Sequence, residues 1–296
     1  MSNYAIIADS TCDLTPQLCE LYNIDYFQML FSEGDVNYNA SLAWDEIDSE
    51  DFYNKMREGV IFKTSQVPVK NFLEKFEKYL EAGQDILYLA CSSALSASIN
   101  SANLVAKQVM MKYPGRKIIC VDTLISGMAQ GLIAIKAAGM RAAGQSIEDV
   151  AGWAEEHKLY YNQYGTVQSL EYLKNAGRVT ASSAFFGTLF AVKPMIISDS
   201  KGQNAAIKKV KGRNASLVET ADYVAQNIVN PKDQVIYVAN ASCIEDAQKV
   251  ADLLKERLGE VKIEISTIGP IVGASVGPGT IIVYYYGTNR KDQELS

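Results

Sequence analysis

The chain has 296 residues, 48% of them hydrophobic and 21% charged, with a formal net charge of −6 and a sequence pI near 5.0. That length supports one large core or two smaller ones. The acidic balance argues against nucleic acid as a partner, because neutralising phosphates needs clustered Lys and Arg.

The five cysteines, at positions 12, 19, 91, 120 and 243, are scattered and contain no C-x-x-C pair. They read as reduced, mostly buried side chains of a cytoplasmic protein. The first residues enter a strand-like run with no charged leader, and no apolar run reaches membrane-spanning length, so neither a signal peptide nor stable membrane insertion is expected. The single histidine, His157, rules out a multi-histidine metal site, and its place at the end of an amphipathic helix predicts an exposed imidazole. No metal site and no cofactor are expected.

In chain order, a strand at 4–8 runs into Asp9, Ser10 and Thr11, and a second strand at 117–121 runs into Asp122 and Thr123. Helix capping is the ordinary role of such acidic-plus-hydroxyl turns. Residues 26–39 read as strands turning near Glu33-Gly34-Asp35, and 48–58 as a helix. An extended piece then ends in Thr64 and Ser65 just before a helix at 69–82.

The richest stretch is 84–102. A strand at 86–90 leads through Cys91 into a turn holding Ser92, Ser93, Ser96 and Ser98, then into a helix expected to bury Ile99, Leu104, Val105 and Val109. Hydroxyls and first-turn amides converging at the positive end of a helix suit a carboxylate or phosphate; the alternative is again capping. Helices are expected at 125–141 and 146–158. This alternation of strands and helices predicts an α/β domain with a mainly parallel sheet over residues 1–158.

Residues 159–296 read as a second, mixed α/β domain. A strand is expected at 164–169 and a short helix at 170–174, followed by the turn Asn175-Ala176-Gly177-Arg178. A helix at 182–192 is apolar nearly all round, with Phe185, Phe186, Leu189 and Phe190 large and Ala184, Gly187 and Ala191 small. Such a helix is buried, and its small residues leave room for a ligand. Strands at 195–198, 205–210, 234–239 and 261–267 and helices at 217–228 and 243–258 follow. Gly212-Arg213 is a second basic glycine turn, and at both turns the guanidinium is expected to be exposed. The chain closes with a glycine-rich loop from Gly269 and a terminal β run. Within that loop, Gly273-Ala274-Ser275-Val276-Gly277 matches G-x-S-x-G, but a β run follows where a nucleophile elbow needs a helix.

The chain resembles the DegV family, whose bacterial members include the fatty-acid-binding subunits of fatty acid kinase. The resemblance runs nearly end to end. It rests on Ala8-Asp9-Ser10-Thr11, Thr64-Ser65-Gln66, Ser92-Ser93 with Leu95-Ser96, Val121-Asp122, Leu173 through Gly177-Arg178, Lys193-Pro194 and Gly277-Pro278-Gly279. It implies a two-domain α/β fold with a fatty acid between the domains, and an acyl chain in an apolar tunnel to which the 182–192 helix contributes Phe185, Phe186, Leu189 and Phe190. The carboxylate is then held at positions matching Thr64 and Ser93, within a set comprising Thr64, Ser65, Ser92, Ser93, Ser96 and Ser275. In the family a histidine usually precedes Gly-Pro-Gly; here that position is Ser275. Arg178 and Arg213 match arginines that serve engagement of the kinase subunit, which phosphorylates the bound acid.

Burying a chain of about sixteen carbons gains roughly 0.8 kcal/mol per CH₂, on the order of 12 kcal/mol gross before the costs of association. The carboxylate needs donors but no general base. The expected function is therefore a cytoplasmic, non-enzymatic carrier that presents a long-chain fatty acid to a kinase subunit. Two other readings remain open: a lipid sensor without a kinase partner, and a phosphoryl- or acyl-transfer enzyme using Asp9, Asp122 and Ser92/Ser93.

Overall fold

The computed structural model describes residues 4–181 and 191–293. The helix expected at 182–192, with Phe185, Phe186, Leu189 and Phe190, lies outside the described residues except for its last two positions. There Ala191 is in a turn and Val192 opens a strand.

The first half is built on a parallel sheet. Strands β1 (Tyr4–Asp9), β2 (Ile24–Phe27), β6 (Asp85–Ala90) and β7 (Ile118–Asp122) lie in the order β2-β1-β6-β7, all parallel. Helices α1 (Pro16–Tyr22), α3 (Val69–Glu81), α4 (Ser98–Met110), α5 (Met128–Ala142) and α6 (Ile147–His157) belong to this half. A small antiparallel sheet, β4-β3-β5, carries β3 (Leu30–Glu33), β4 (Val36–Asn39) and β5 (Phe62–Ser65), with helix α2 (Ser49–Arg57) between β4 and β5. β1 and β6 are buried almost throughout, as expected of a parallel sheet covered on both faces.

The connections leave β1 in opposite directions, so the gap between the carboxyl ends of β1 and β6 is the topological switch point, where open α/β sheets form their ligand crevices. Asp9 closes that gap. Its carboxylate accepts hydrogen bonds from the Thr11 amide (3.2 Å) and hydroxyl (2.5 Å), and from the Tyr88 hydroxyl and Cys91 amide (2.9 Å each). As predicted, Asp9 caps the short 3₁₀ turn that follows it. Asp122 accepts from the amides of Ser93 and Leu124.

The second half is a six-stranded mixed sheet, β10-β9-β8-β13-β11-β12. Its strands are β8 (Tyr161–Thr166), β9 (Val192–Ser198), β10 (Asn204–Lys211), β11 (Val235–Asn240), β12 (Lys262–Thr267) and β13 (Ile281–Tyr286). The short α7 (Glu171–Asn175) follows β8. Helices α8 (Arg213–Asn227) and α9 (Ile244–Leu258) pack with Leu217, Val224, Val250 and Leu254 in one core cluster, and α10 (Pro270–Val276) and the terminal α11 (Arg290–Gln293) complete the order. The apolar α5 touches β1 and β6 on one side and β8 and β13 on the other, so the two sheets share it. The tip of the β9–β10 hairpin adds a second contact. Gly202 there has φ +78, and a Cβ on it would meet Ser92 Oγ at 2.2 Å, so glycine is required for the approach.

Several expected elements move. β8 starts three residues early because Asn162 and Gln163, polar and thus loop-like in sequence, are buried and hydrogen-bonded. Leu104 is 70% exposed, the buried face of α4 being Ile99, Ala102, Val105, Ala106 and Val109. The helix expected from 125 starts at Met128, after Gly127 at φ +67. The glycine-rich loop from Gly269 is largely helical: Pro270 at the first turn starts α10, and Gly277 at φ +79 ends it. His157 is half-buried, its ring stacked on Trp153 and bonded to the Trp153 carbonyl at 2.9 Å.

Candidate functional site

A cavity of about 250 Å³ opens at the switch point. Its walls come from separate places in the sequence: the ends of β1, β5 and β6, the link between β2 and β3, the loop before α5, the turn after α7, and α10 with parts of the mixed sheet. Thr64 and Ser65 reach it from the end of β5, and Ser96 from the turn after β6. Ser275 reaches it from α10, and Arg178 from the turn after α7. Met29, Leu95, Ile271, Val272, Val276 and Ile282 supply the apolar wall. A cleft of about 290 Å³ shares Thr64, Arg178 and Ser275 with it.

The two hydroxyl loops are tied to each other. The Val67 amide donates to Ser98 Oγ at 3.2 Å, and Ser101 Oγ donates to Gln66 Oε1 at 3.3 Å. Neither loop supplies a capping N-cap residue: those of α3 and α4 are Pro68 and Ala97, which make no side-chain cap bond, and of the first α4 amides Ser96 takes that of Ser98. Thr64 and Ser65 make no side-chain hydrogen bond to a described residue, so their hydroxyls are free to donate.

Ser96 is oriented by a short relay. Ser98 Oγ accepts from the Val67 amide and shares a hydrogen bond with Ser96 Oγ at 3.0 Å in which either hydroxyl can donate, and the Ser98 amide donates to Ser96 Oγ at 3.3 Å. When Ser98 is the donor, both Ser96 lone pairs are used and its O–H is left for whatever lies in the cavity. The amino end of α4 adds positive potential beside it.

Arg178 spends Nε on the Leu95 carbonyl (2.8 Å) and Nη1 on that of Ala176, leaving Nη2 without a partner among the described residues. The sequence assigned Arg178 only to a docking surface; it is exposed and also lines the cavity. The cavity wall thus carries the hydroxyls of Thr64, Ser65, Ser96 and Ser275 and a guanidinium, groups that can donate hydrogen bonds to an anion.

Ser92 and Ser93 lie elsewhere. Ser92 is fully buried, its Oγ donating to the Gly202 carbonyl at 2.9 Å, where it docks the β9–β10 hairpin. Ser93 is exposed, does not line the cavity, and donates its amide to Asp122. Ser275 is half-buried in α10, with only a long contact (3.5 Å) to the Ile271 carbonyl. Its position inside a helix, not a strand-to-helix elbow, matches the failure of the hydrolase pattern.

Arg213 corrects an expectation. It is half-buried and paired with Asp246 at 2.7 Å, because α8 opens with it directly over the first turn of α9. It also depresses the Lys193 ammonium, which burial had already pushed down.

Nothing at the cavity is an activated nucleophile. Burial pushes the Cys91 thiol well above its ordinary value, reinforced by the neighbouring Asp9 carboxylate. No histidine lines the cavity, and no cluster of three potential metal ligands occurs among the described residues. Four cavity residues escaped the sequence reading. Thr11 had been noted only as a capping residue, and Ser126, Gln163 and Asn204 stand alone on separate elements with no local motif to mark them.

The sequence profile described as "Uncharacterised protein, DegV family" matches residues 3–288. The chain belongs to the DegV family. A DegV domain-containing protein of Clostridium perfringens is 37% identical over 98% of this chain and 100% of its own length. Among solved structures, a DegV family protein from Ruminococcus gnavus, described with vaccenic acid, has a TM-score of 0.85 at 26% identity, covering 95% of this chain and 99% of its own. A DegV lipid binding protein from Thermotoga maritima has a TM-score of 0.84 at 27% identity, covering 98% and 100%. The mixed α/β architecture with one parallel and one mixed sheet is therefore that of the DegV fold.

Proposed function

We propose that this DegV chain is a non-enzymatic carrier of long-chain fatty acids that presents the carboxylate to a kinase subunit for acyl phosphate formation. The observation that supports it most is the hydroxyl and guanidinium set on the wall of a partly apolar cavity, with no nucleophile or base beside it. The vaccenic acid named for the Ruminococcus relative is of the same ligand class. We assign Thr64, Ser65, Ser96 and Ser275 to the carboxylate, with Ser92 supporting the β9–β10 tip and Ser93 the Asp122 turn. We further place the domain boundary near residue 158, and the acyl chain beyond the cavity toward the segment holding Phe185, Phe186, Leu189 and Phe190. Among the described residues no helix is long and apolar enough to cross a membrane, which accords with a cytoplasmic carrier. Asp9 and Asp122 are engaged by backbone and side-chain donors, which disfavours the transfer-enzyme reading.

Native mass spectrometry of the protein as expressed is expected to find a co-purified long-chain acid, and delipidated protein should gain thermal stability when one is added. No shift with any long-chain acid would sink the carrier reading.

Coupling to a kinase supplies a second expected result. Arg213→Ala should leave lipid loading largely intact while reducing acyl phosphate formation with a cognate kinase subunit, whereas Arg178→Ala, which also removes a guanidinium from the cavity wall, should weaken loading as well. Lysine should rescue poorly where the contact is bidentate. Asp246 keeps Lys249 at 3.6 Å when Arg213 is removed, so the fold should tolerate that change. Full activity in both alanine variants would remove these arginines from the mechanism. No activity with any kinase subunit would favour the sensor.

Ser275 carries a third. Serine has no charge to gain near neutrality, so acid binding should be flat in pH from about 6 to 8, whereas Ser275→His should introduce a titration near pH 6.5 and tighten binding below it. A histidine variant with an unchanged, flat profile would place Ser275 away from the carboxylate.

A further inference from the structure

The cavity wall carries further polar side chains that a plain hydrocarbon would leave without partners. Ser126 is 6% exposed, lines the cavity, and makes no hydrogen bond to any described residue. It sits just before the amino end of α5, whose N-cap, Gly127, provides no side-chain cap. Gln163, 4% exposed, lines the same cavity from β8. Its amide nitrogen is spent on Asn204 Oδ1 (2.8 Å), and Asn204 in turn donates to the Arg178 carbonyl (3.0 Å). That chain fixes the Gln163 amide and leaves its carbonyl oxygen as an acceptor.

A hydrocarbon laid against the Ser126 hydroxyl would strip its water without returning a hydrogen bond, which is costly. A ligand that bonds to both would relieve it. The group is neutral, because no lysine or arginine other than Arg178 lines the cavity, and the Asp9 carboxylate lies directly behind Thr11 and Cys91, opposing a second anion. A hydroxyl fits: it accepts from Ser126 and donates to Gln163. A thiolate or covalent role for Cys91 is unnecessary.

We propose that the preferred ligand is a hydroxylated fatty acid, its carboxylate at the Thr64, Ser96 and Arg178 end and its chain hydroxyl between Ser126 and Gln163. This rests on the fatty acid carrier reading and narrows its substrate class.

The test compares stearic acid with hydroxystearic acids bearing the hydroxyl at different chain positions, titrated against delipidated full-length protein and against Ser126→Ala. The readout is the affinity ratio of hydroxy acid to parent, so a general loss in the variant cancels. At least one positional isomer should bind about fivefold or more tighter than stearic acid to the native chain, and that ratio should fall toward one in Ser126→Ala. A ratio near one for every isomer on the native chain overturns the inference, as does a preference that survives in the variant. Equal loss of both acids in Ser126→Ala would make Ser126 part of the carboxylate site and also overturns it. Stearic acid binding without discrimination leaves the carrier reading standing; failure of every acid to bind removes both.

Discussion

Removing the Thr64 and Ser96 hydroxyls together should weaken fatty acid binding about a hundredfold or more. On the proposed reading each hydroxyl donates to the carboxylate, and such a bond to a charged acceptor contributes roughly 1.5–3 kcal/mol, or about tenfold or more apiece. Thr64→Ala and Ser96→Ala should each show the single step, and a methyl ester should be little affected, since it lacks the anion that makes these bonds strong. Ser98→Ala should weaken acid binding too, by removing the hydroxyl that helps hold Ser96 Oγ in place. Ser93→Ala, whose side chain is exposed outside the cavity, is the contrast. Isothermal titration of delipidated variants measures all of these. Equal losses for acid and ester would mean that the hydroxyls shape the cavity without meeting the carboxylate.

Asp9→Ala is expected to be the most damaging single change to the fold, costing about 3–5 kcal/mol. It strands the buried Thr11 and Cys91 amides and the fully buried Tyr88 hydroxyl, and each orphaned donor costs on the order of 1–3 kcal/mol. The damage also reaches the site, because Asp9 holds the start of the turn that carries Ser96. Denaturant unfolding checks the size; a loss under about 1 kcal/mol would show that the donors find other partners or water. Asp9→Asn separates the two effects: it keeps acceptor capacity for one or two bonds, so its loss should be smaller and its lipid binding closer to native.

Local patterns in the sequence carried the strand and helix sequence of the first half, because each element there shows its own period and its own stop. The strand runs ending in Asp9 and Ala90 are apolar because both faces of a parallel sheet are covered. Thr64, Ser65 and Ser96 were legible as donors because hydroxyls gather just before helices, and that the N-caps are Pro68 and Ala97 instead was the part only the structure could decide. Tertiary structure also brought Ser126, Gln163, Asn204 and Arg178 to one cavity. They come from a loop, two strands and a turn far apart in the chain, and a lone buried polar residue looks like a loop residue until its partners are known. The same cause moved Arg213, expected in solvent, onto Asp246, and placed Ser92 and Ser93, neighbours in sequence, on different surfaces. Sequence periodicity reports which face of an element is apolar; which polar side chains share a space depends on how the sheets meet across α5.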